Sequence, residues 1–301
     1  MAKYKAPGVV TRYVGSTSKP AKIGIYYLSV ETPLFDSIFS STDSLTISGK
    51  TNAPAGLKIT ATIDSIKYES TIEMGGDWEI EIPSLSGFSS GVQTVQVEII
   101  DDSFKTIMVE FNITIDSVNP VVSINGGSDI FTSSSTPTID GTVIDDNINT
   151  LTVEVSDGVS VVYATTLERD YLTSSDWSVT STSLSDGEYI VTAVAEDLVD
   201  NSNVANQTLT VDTLKPTQPT NLTEGTTTTN STSFSWTSSS DLGGVTNYNI
   251  YKDGILVATT VTTNYTLIGL DSATEYSIEV SAVDIVGNES DLSTALSVTT
   301  S

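Results

Sequence analysis

Carboxylates are the side chains with which this sequence could do chemistry. Its 301 residues include 38 aspartates and glutamates but no histidine and no cysteine. The Ser-His-Asp and Cys-His nucleophile systems and the common zinc sites therefore lack their parts. Only carboxylate and tyrosine chemistry remains. Five aspartates near predicted domain ends offer the oxygen ligands that calcium prefers: Asp145, Asp146, Asp197, Asp200 and Asp212.

Two interpretations of these aspartates stay open. Asp197, Asp200 and Asp212 are the calcium candidates, since loops at domain ends can bring such oxygens together. Asp and Asn also terminate strands and cap turns without any metal, and no EF-hand spacing is present. The sequence therefore predicts no obligatory cofactor and leaves calcium as the one candidate.

Neither a glycosidase nor a sugar-binding platform is favoured. Glycosidases need two carboxyl groups flanking a cleft, and the short connections in this sequence contain no insertion that would form one. Trp78, Trp177 and Trp236 could stack on sugars, but each falls in a predicted strand where sandwiches place core residues. We therefore predict a protein that is not an enzyme.

The elements that carry these residues are predicted to be β-strands. Ser, Thr, Val and Ile dominate, and apolar residues alternate with polar ones in short runs, as half-buried strands require. The clearest runs are 57–63, 78–82, 92–100, 109–115, 151–155, 177–179 and 189–195. Asp157-Gly158 and Asp186-Gly187 predict hairpin turns. The expected fold class is all-β.

An internal repeat sets the predicted domain organisation. Residues 38–49 return as 130–141, and Asp77-Trp78 returns as Asp176-Trp177. Each unit is about as long as one β-sandwich. We predict an arm at residues 1–32, followed by tandem sandwiches at residues 33–117, 118–215 and 216–301.

Particular motifs relate these sandwiches to known families. Asp176-Trp177 and residues 184–189, 195–201 and 211–216 give the second unit, and more loosely the first, the pattern of a bacterial immunoglobulin-like domain. Such domains occur in tandem in surface adhesins and virion proteins. Trp236 and residues 248–254 and 270–276 make the third unit similar to a fibronectin type III domain. That resemblance implies a tyrosine corner, in which the hydroxyl of Tyr276 bonds to upstream backbone.

The N-terminal arm differs in charge from the rest of the chain. Its five basic residues precede the first acidic residue, Glu31, so the first thirty residues carry +5, and the other seven bases against 38 acids leave −31. The start of the arm is similar to that of phage contractile-tail sheath proteins, although Val10 stands where an aromatic residue is usual. The expected attachment residues are Tyr4, Lys5, Pro7, Gly8, Val9, Val10, Arg12 and Tyr13.

Two alternatives stay open for this arm. Its run 23–30 reads as a strand that either pairs with the first sandwich or joins another subunit's sheet. The segment before that strand is either an attachment element or a basic tail without fixed structure.

The net charge of −26 argues against nucleic acid as a ligand of the main body. With no run of eighteen apolar residues and no signal-peptide core, we expect neither membrane insertion nor secretion but synthesis in the bacterial cytoplasm.

These observations favour a structural protein of a phage virion, an accessory or decoration subunit of capsid or tail. Its arm would bind capsid or tail subunits, and its sandwiches would project outward, with weak adhesion to host-surface glycans as a further expectation. The alternative is a fragment of a bacterial cell-surface adhesin or stalk. A third interpretation is an accessory module of a polysaccharide-degrading enzyme.

Overall fold

A computed structural model describes residues 26–34, 36–101, 106–168 and 175–301. Within these ranges the regular structure consists of 23 β-strands without a helix, which confirms the all-β prediction. It follows that the described ranges contain no helix long and apolar enough to cross a membrane.

The first sandwich packs a three-stranded sheet against a five-stranded sheet. Its strands are β1 (Leu28–Thr32), β2 (Ile38–Ser40), β3 (Leu45–Thr51), β4 (Lys58–Ile63), β5 (Ile66–Thr71), β6 (Asp77–Ile82), β7 (Gly91–Ile100) and β8 (Thr106–Asp116). The strand orders are β1-β3-β6 and β2-β8-β7-β4-β5. All neighbours are antiparallel except β2 and β8. The described end of the arm belongs to this sandwich, because β1 pairs with β3 rather than being left without a partner.

The second sandwich repeats this topology. Its strands are β9 (Val121–Ile124), β10 (Asp129–Thr132), β11 (Thr138–Ile144), β12 (Ile148–Ser156), β13 (Val161–Glu168), β14 (Asp176–Thr180), β15 (Gly187–Asp197) and β16 (Ser202–Val211). Their orders are β9-β11-β14 and β10-β16-β15-β12-β13, with β10 parallel to β16. The sequence repeat is thus a repeat of whole sheets.

The third sandwich has a different arrangement of seven strands. They are β17 (Thr220–Thr227), β18 (Ser231–Thr237), β19 (Val245–Lys252), β20 (Ile255–Thr260), β21 (Asn264–Ile268), β22 (Glu275–Asp284) and β23 (Leu296–Thr299). The two sheets have the orders β17-β18-β21 and β20-β19-β22-β23. Its core includes Phe234, Trp236 and Tyr248, with the Trp236 and Tyr248 rings edge to face at 5.3 Å.

The alternation of apolar and polar residues predicted the strands, and one of the two turns predicted from Asp-Gly is a hairpin. In β4, Ile59, Ala61 and Ile63 are buried while their neighbours are not. Asp157 begins the turn between the paired strands β12 and β13, as predicted. Asp186-Gly187 instead connects β14 to β15, which lie in different sheets, so that hairpin prediction was wrong. The carboxylate of Asp186 accepts hydrogen bonds from the backbone and hydroxyl of Thr213.

All three tryptophans are core residues, as their positions in the strands predicted. Trp78 is paired across the sheet with Gly49, and Trp177 with Gly141. A Cβ on Gly49 would lie 2.6 Å from Cζ2 of Trp78, and one on Gly141 would lie 2.7 Å from Cζ2 of Trp177. Each glycine therefore leaves room for an indole ring, and the buried rings offer no platform for a sugar.

The tyrosine corner of the third sandwich is confirmed. The backbone N–H of Asp271 donates to the hydroxyl of Tyr276 over 2.9 Å. The second sandwich has a related contact, in which the hydroxyl of Tyr189 donates to the carbonyl of Ser185 over 2.8 Å. Each contact fixes the start of a central strand to the loop that precedes it.

The chain divides into two compact units. Of the described residues, unit 1 contains those up to residue 120 together with the loops 145–149 and 196–202, and unit 2 contains those within 121–144, 150–195 and 203–301. The strands of unit 1 bury one core, with Leu28 of β1 among its fully buried side chains. Among the described residues, each unit contains one cluster of three aspartates.

Two acidic clusters as the candidate functional site

The first acidic cluster, in unit 1, consists of Asp116, Asp145 and Asp197. One carboxylate oxygen of each lies within 4.8 Å of the others. Asp116 ends β8, Asp145 follows β11, and Asp197 ends β15. Asp116 and Asp197 are buried and Asp145 is half-buried. Strand ends thus bring three carboxylates into a space with little water.

Two asparagines supply the donors that this arrangement needs. The side-chain amide of Asn201 donates to Oδ2 of Asp197 over 2.7 Å, and its backbone N–H donates to Oδ1 over 2.9 Å. The same amide reaches the carbonyls of Asp116 and Val118, both at 3.4 Å. The amide of Asn147 donates to Oδ2 of Asp116 over 2.8 Å, and its backbone N–H donates to Asp145 over 2.7 Å.

Burial raises the pKa of Asp145 above its ordinary value. The backbone N–H of Asn147 opposes this shift by stabilising the ionised form, while the charges of Asp116 and Asp197 add to it. The first cluster is therefore an electrostatically crowded site that its asparagine donors partly relieve.

The second acidic cluster, in unit 2, consists of Asp212, Asp241 and Asp284, again with carboxylate oxygens within 4.8 Å of one another. Asn288 has the role that Asn201 has in the first cluster. Its side-chain amide donates to Oδ2 of Asp284 over 2.8 Å and to the carbonyls of Asp212 and Leu214 over 3.1 and 2.8 Å. We call each arrangement an asparagine clamp: Asn201 with Asp197, and Asn288 with Asp284.

Gly243 stands in the second cluster where Asn147 stands in the first, two residues after a cluster aspartate. Its backbone N–H is shared between Oδ2 of Asp212 and Oδ2 of Asp241, both at 3.3 Å. A Cβ here would lie 2.7 Å from Cγ2 of Ile285 and 3.3 Å from Cδ1 of Phe131. Close packing in unit 2 therefore leaves no space for the side-chain donor that the first cluster has.

The pKa of Asp241 is affected by this arrangement. Burial, a hydrogen bond with Asp212 and the charge of Asp212 raise its pKa to about 6. Asp241 therefore keeps its proton to a higher pH than an ordinary aspartate does, because ionisation would place a second, partly buried charge beside Asp212.

The calcium candidates are divided between the clusters. Asp197 belongs to the first and Asp212 to the second, whereas Asp200 is exposed, has φ of 67° in a turn, and belongs to neither. Three carboxylates could hold an oxygen-seeking cation, but calcium takes six to eight oxygens, and these carboxylates already accept hydrogen bonds. Calcium binding stays a prediction.

Sequence reasoning missed Asp116, Asp241 and Asp284 and the roles of Asn201 and Asn288. A signal was present, because 197–201 and 284–288 share an Asp followed four residues later by Asn. The expected attachment residues Tyr4, Lys5, Pro7, Gly8, Val9, Val10, Arg12 and Tyr13 lie outside the described residues.

Each cluster includes a carboxylate that a substrate cannot reach. Asp197 and Asp212 are wholly buried, so their carboxylates cannot reach a glycosidic bond. A cavity of about 310 Å³ beside the second sandwich is lined by one carboxylate, Asp140, which is bonded to the amide of Asn125 at 2.6 Å.

Comparison with known proteins identifies two of the sandwiches by family. Residues 123–213 match the bacterial Ig-like domain, and residues 216–299 match the fibronectin type III domain. Both are non-catalytic modules, and this agrees with the families that the sequence motifs resemble.

Curated relatives share short stretches with this chain. A chitinase, Chi52 of Paenibacillus xylanexedens, is 45% identical over 95 residues, which is 32% of this chain and 18% of the chitinase. Exoglucanase B of Cellulomonas fimi is 43% identical over 110 residues, 36% of this chain and 10% of the enzyme. The chain thus spans less than a fifth of either relative.

A solved structure of a 1.5-MDa bacterial ice-binding adhesin is similar in fold. The alignment covers 92% of this chain and 97% of that one, with 18% identity and a TM-score of 0.45.

Proposed function

We propose that this chain is a non-catalytic spacer, in which asparagine clamps fix the segments that connect consecutive sandwiches. The observation that carries the proposal is the clamp of unit 2. One amide, that of Asn288, binds its own loop at Asp284 and the connecting segment at Asp212 and Leu214. Because one planar group makes all three contacts, the connecting segment and the third sandwich are held in one geometry.

The connecting segment of unit 2 is also held from its other side. Asp186 of the second sandwich accepts hydrogen bonds from the backbone N–H of Thr213 over 3.1 Å and from its hydroxyl over 2.8 Å. Thr213 thus lies between two residues that Asn288 contacts. A connection with contacts to both neighbours favours a stiff spacer over a flexible linker.

We further propose that the spacer projects from a phage particle to which its N-terminal arm attaches. The support is the separation of charge: Lys3, Lys5, Arg12, Lys19 and Lys22 precede all acidic residues. A basic arm suits an acidic site on a capsid or tail subunit, while a body of −31 keeps neighbouring copies apart. Weak adhesion of the outer sandwiches to host glycans would be a consequence of that position.

Immunogold electron microscopy of virus particles from the source culture tests this placement. We would compare the whole chain with a version that lacks residues 1–25, which retains β1 and its pairing with β3. Regular labelling of particles that disappears with the deletion is expected. Unlabelled particles together with labelled cell envelopes would reject the virion and favour a surface stalk.

A second candidate is a spacer within a polysaccharide-active enzyme or a surface adhesin. The similarity to short stretches of a chitinase and an exoglucanase favours the enzyme as the place of such a spacer. Co-sedimentation of the full chain with insoluble chitin or cellulose separates this candidate from the first. Retention on either polymer would support it, and complete recovery in the supernatant would count against a role in holding substrate.

A further inference from the structure

One face of the first sandwich is unusually acidic. In β6, the exposed side chains of Asp77, Glu79 and Glu81 alternate with the buried Trp78, Ile80 and Ile82. The three carboxylates therefore form a row along the outer face of the β1-β3-β6 sheet. We call this row the β6 stripe.

The repeat shows that the fold does not require the stripe. The second sandwich has β14 in the place of β6, and both strands begin with Asp-Trp. At the next two outward positions, however, β14 has Ser178 and Thr180 where β6 has Glu79 and Glu81. The same sheet position is thus built with neutral hydroxyls in one copy and with two negative charges in the other.

Two charges of the stripe are left without a basic partner. Lys50 pairs with Asp77 at 3.2 Å. Glu79 lies opposite Ser48 and Glu81 opposite Thr46, and neither glutamate forms an ion pair with any described residue. Glu79 and Glu81 are about 6.8 Å apart on one face of the strand. Like charges at that distance repel each other, so a basic partner would lower the electrostatic energy of the stripe.

The chain itself contains a segment of complementary charge next to this sheet. Residues 1–25 carry five basic residues and no acidic one, and the chain passes from them into β1 of the same three-stranded sheet. Lys3 and Lys5 are two positions apart, as are Glu79 and Glu81. In an extended segment that spacing is about 6.8 Å, the spacing of side chains on one face of a strand.

Chain length favours docking within one molecule. Twenty-five residues reach up to about 80 Å when extended, whereas β6 lies two strands, or about 10 Å, from β1. A tether of this length gives an effective local concentration near the millimolar range, above the concentration of other copies in ordinary solution. The arm of the same chain is therefore the favoured occupant.

We propose that the N-terminal arm docks on the β6 stripe of its own first sandwich, with Lys3 and Lys5 opposite Glu79 and Glu81. This inference rests on the proposed role of the arm as an attachment segment. It adds a regulatory step, because a docked arm is masked until a more acidic target competes for its charges. Such a contact keeps free copies from attaching to one another through arm and body.

A paramagnetic label on the arm tests the proposal in the full chain. The sequence has no cysteine, so Ala6→Cys provides a single attachment point for a nitroxide. We would record amide signals of Thr46 and Ser48, which face the stripe from β3. The expected result is selective loss of these signals in low salt and their recovery in about 1 M salt, where the screening length falls to about 3 Å.

Two double variants, one that changes the stripe and one that serves as its control, separate the effect of the stripe from a loss of charge in general. Glu79→Ser with Glu81→Thr installs the residues of the second sandwich and should abolish the signal loss. Glu73→Gln with Glu110→Gln removes the same charge from other exposed positions of the first sandwich and should leave the loss in place.

Three results would overturn the proposal: unbroadened Thr46 and Ser48 signals in low salt, equal broadening in both double variants, or broadening that disappears on dilution and so reports contact between copies. Labelling of virus particles that depends on the arm would still support the proposed attachment in each case, so the two proposals can fail separately.

Discussion

The two acidic clusters have the same clamp and differ at one position. Asn201 and Asn288 each bond to the aspartate four residues before them and to two carbonyls of a connecting segment. At the other side of the first cluster, Asn147 donates separately to Asp116 and to Asp145, whereas in the second cluster Gly243 has a single N–H for Asp212 and Asp241.

This difference shows that close packing and relief of charge compete for one position. In unit 2 the space beside Gly243 is taken by Ile285 and Phe131, so the second cluster has tight contact and a raised pKa at Asp241. The first cluster has a side-chain amide in place of that contact. The residue at this one position thus decides whether the cluster has a side-chain hydrogen-bond donor or close packing.

The largest effect is expected from Gly243→Ala. A Cβ would come within 2.7 Å of Ile285, and overpacking of this kind costs about 2 to 3 kcal/mol. Calorimetry of the full chain should show a lower melting temperature for the transition of unit 2. Gly87→Ala is the matched control, since nothing lies within 4 Å of the position of its Cβ. An unchanged transition in Gly243→Ala would mean that the contact is not tight.

Removing an asparagine clamp should have the next largest effect on the free energy of unfolding, and the loss should differ between the two clamps. Asn288→Ala loses an amide that bonds to one carboxylate and two carbonyls, which we expect to cost about 2 kcal/mol. Asn201→Ala should cost less, because its two carbonyl contacts are at 3.4 Å rather than 3.1 and 2.8 Å. Chemical denaturation compares the two losses. A larger loss for Asn201→Ala would contradict the account.

Asn147→Gly converts the first cluster toward the second. It removes the 2.8 Å donor to Asp116 and leaves only a backbone N–H for Asp145. We expect a loss of about 1 kcal/mol and a further rise in the pKa of Asp145. Carboxyl NMR titration of the variant measures that pKa directly. A lower pKa would show that Asn147 does not separate the two charges.

The smallest effect is a pH dependence assigned to Asp241. Its pKa of about 6 in the folded protein lies above the ordinary 3.8, so the folded form binds this proton more tightly. The cost of ionisation is fully present above about pH 6 and is relieved as the pH falls toward about 4.

Asp241→Asn should therefore be more stable than the parent near neutral pH and lose that advantage at about pH 4. The expected difference is about 1 kcal/mol, because Asp241 is partly exposed and solvent screens it. Urea unfolding of both proteins across this range measures it. A difference that grows as the pH falls would have the wrong sign.

Local pattern was sufficient to predict most of the fold. Alternation placed β4 and β15, and the repeat 38–49 with 130–141 foretold that the first two sandwiches share one topology. The burial of Trp177 and the corner at Tyr276 followed from motif and position. The error at Asp186-Gly187 arose because a turn signal does not say whether the chain stays in one sheet or crosses to the other.

The composition of the clusters could not be predicted in the same way. Asp197 and Asp212 both looked like ligand residues, but they belong to different clusters. The partners of Asp212 are Asp241, from the loop between β18 and β19, and Asp284, from the end of β22 in the third sandwich. That grouping depends on how a connecting segment folds against a whole sandwich, and single-sequence periodicity contains no information about it.

The most direct test of the account is the distance between the second and third sandwiches within unit 2. Nitroxides at Thr166→Cys on β13 and Thr259→Cys on β20, both exposed positions, allow pulsed electron resonance to measure it. A clamp at Asn288 predicts one narrow distance distribution in the parent chain and a broad one in Asn288→Ala. A broad distribution in the parent, or no change in the variant, would contradict the claim that the asparagine clamp makes this chain a stiff spacer.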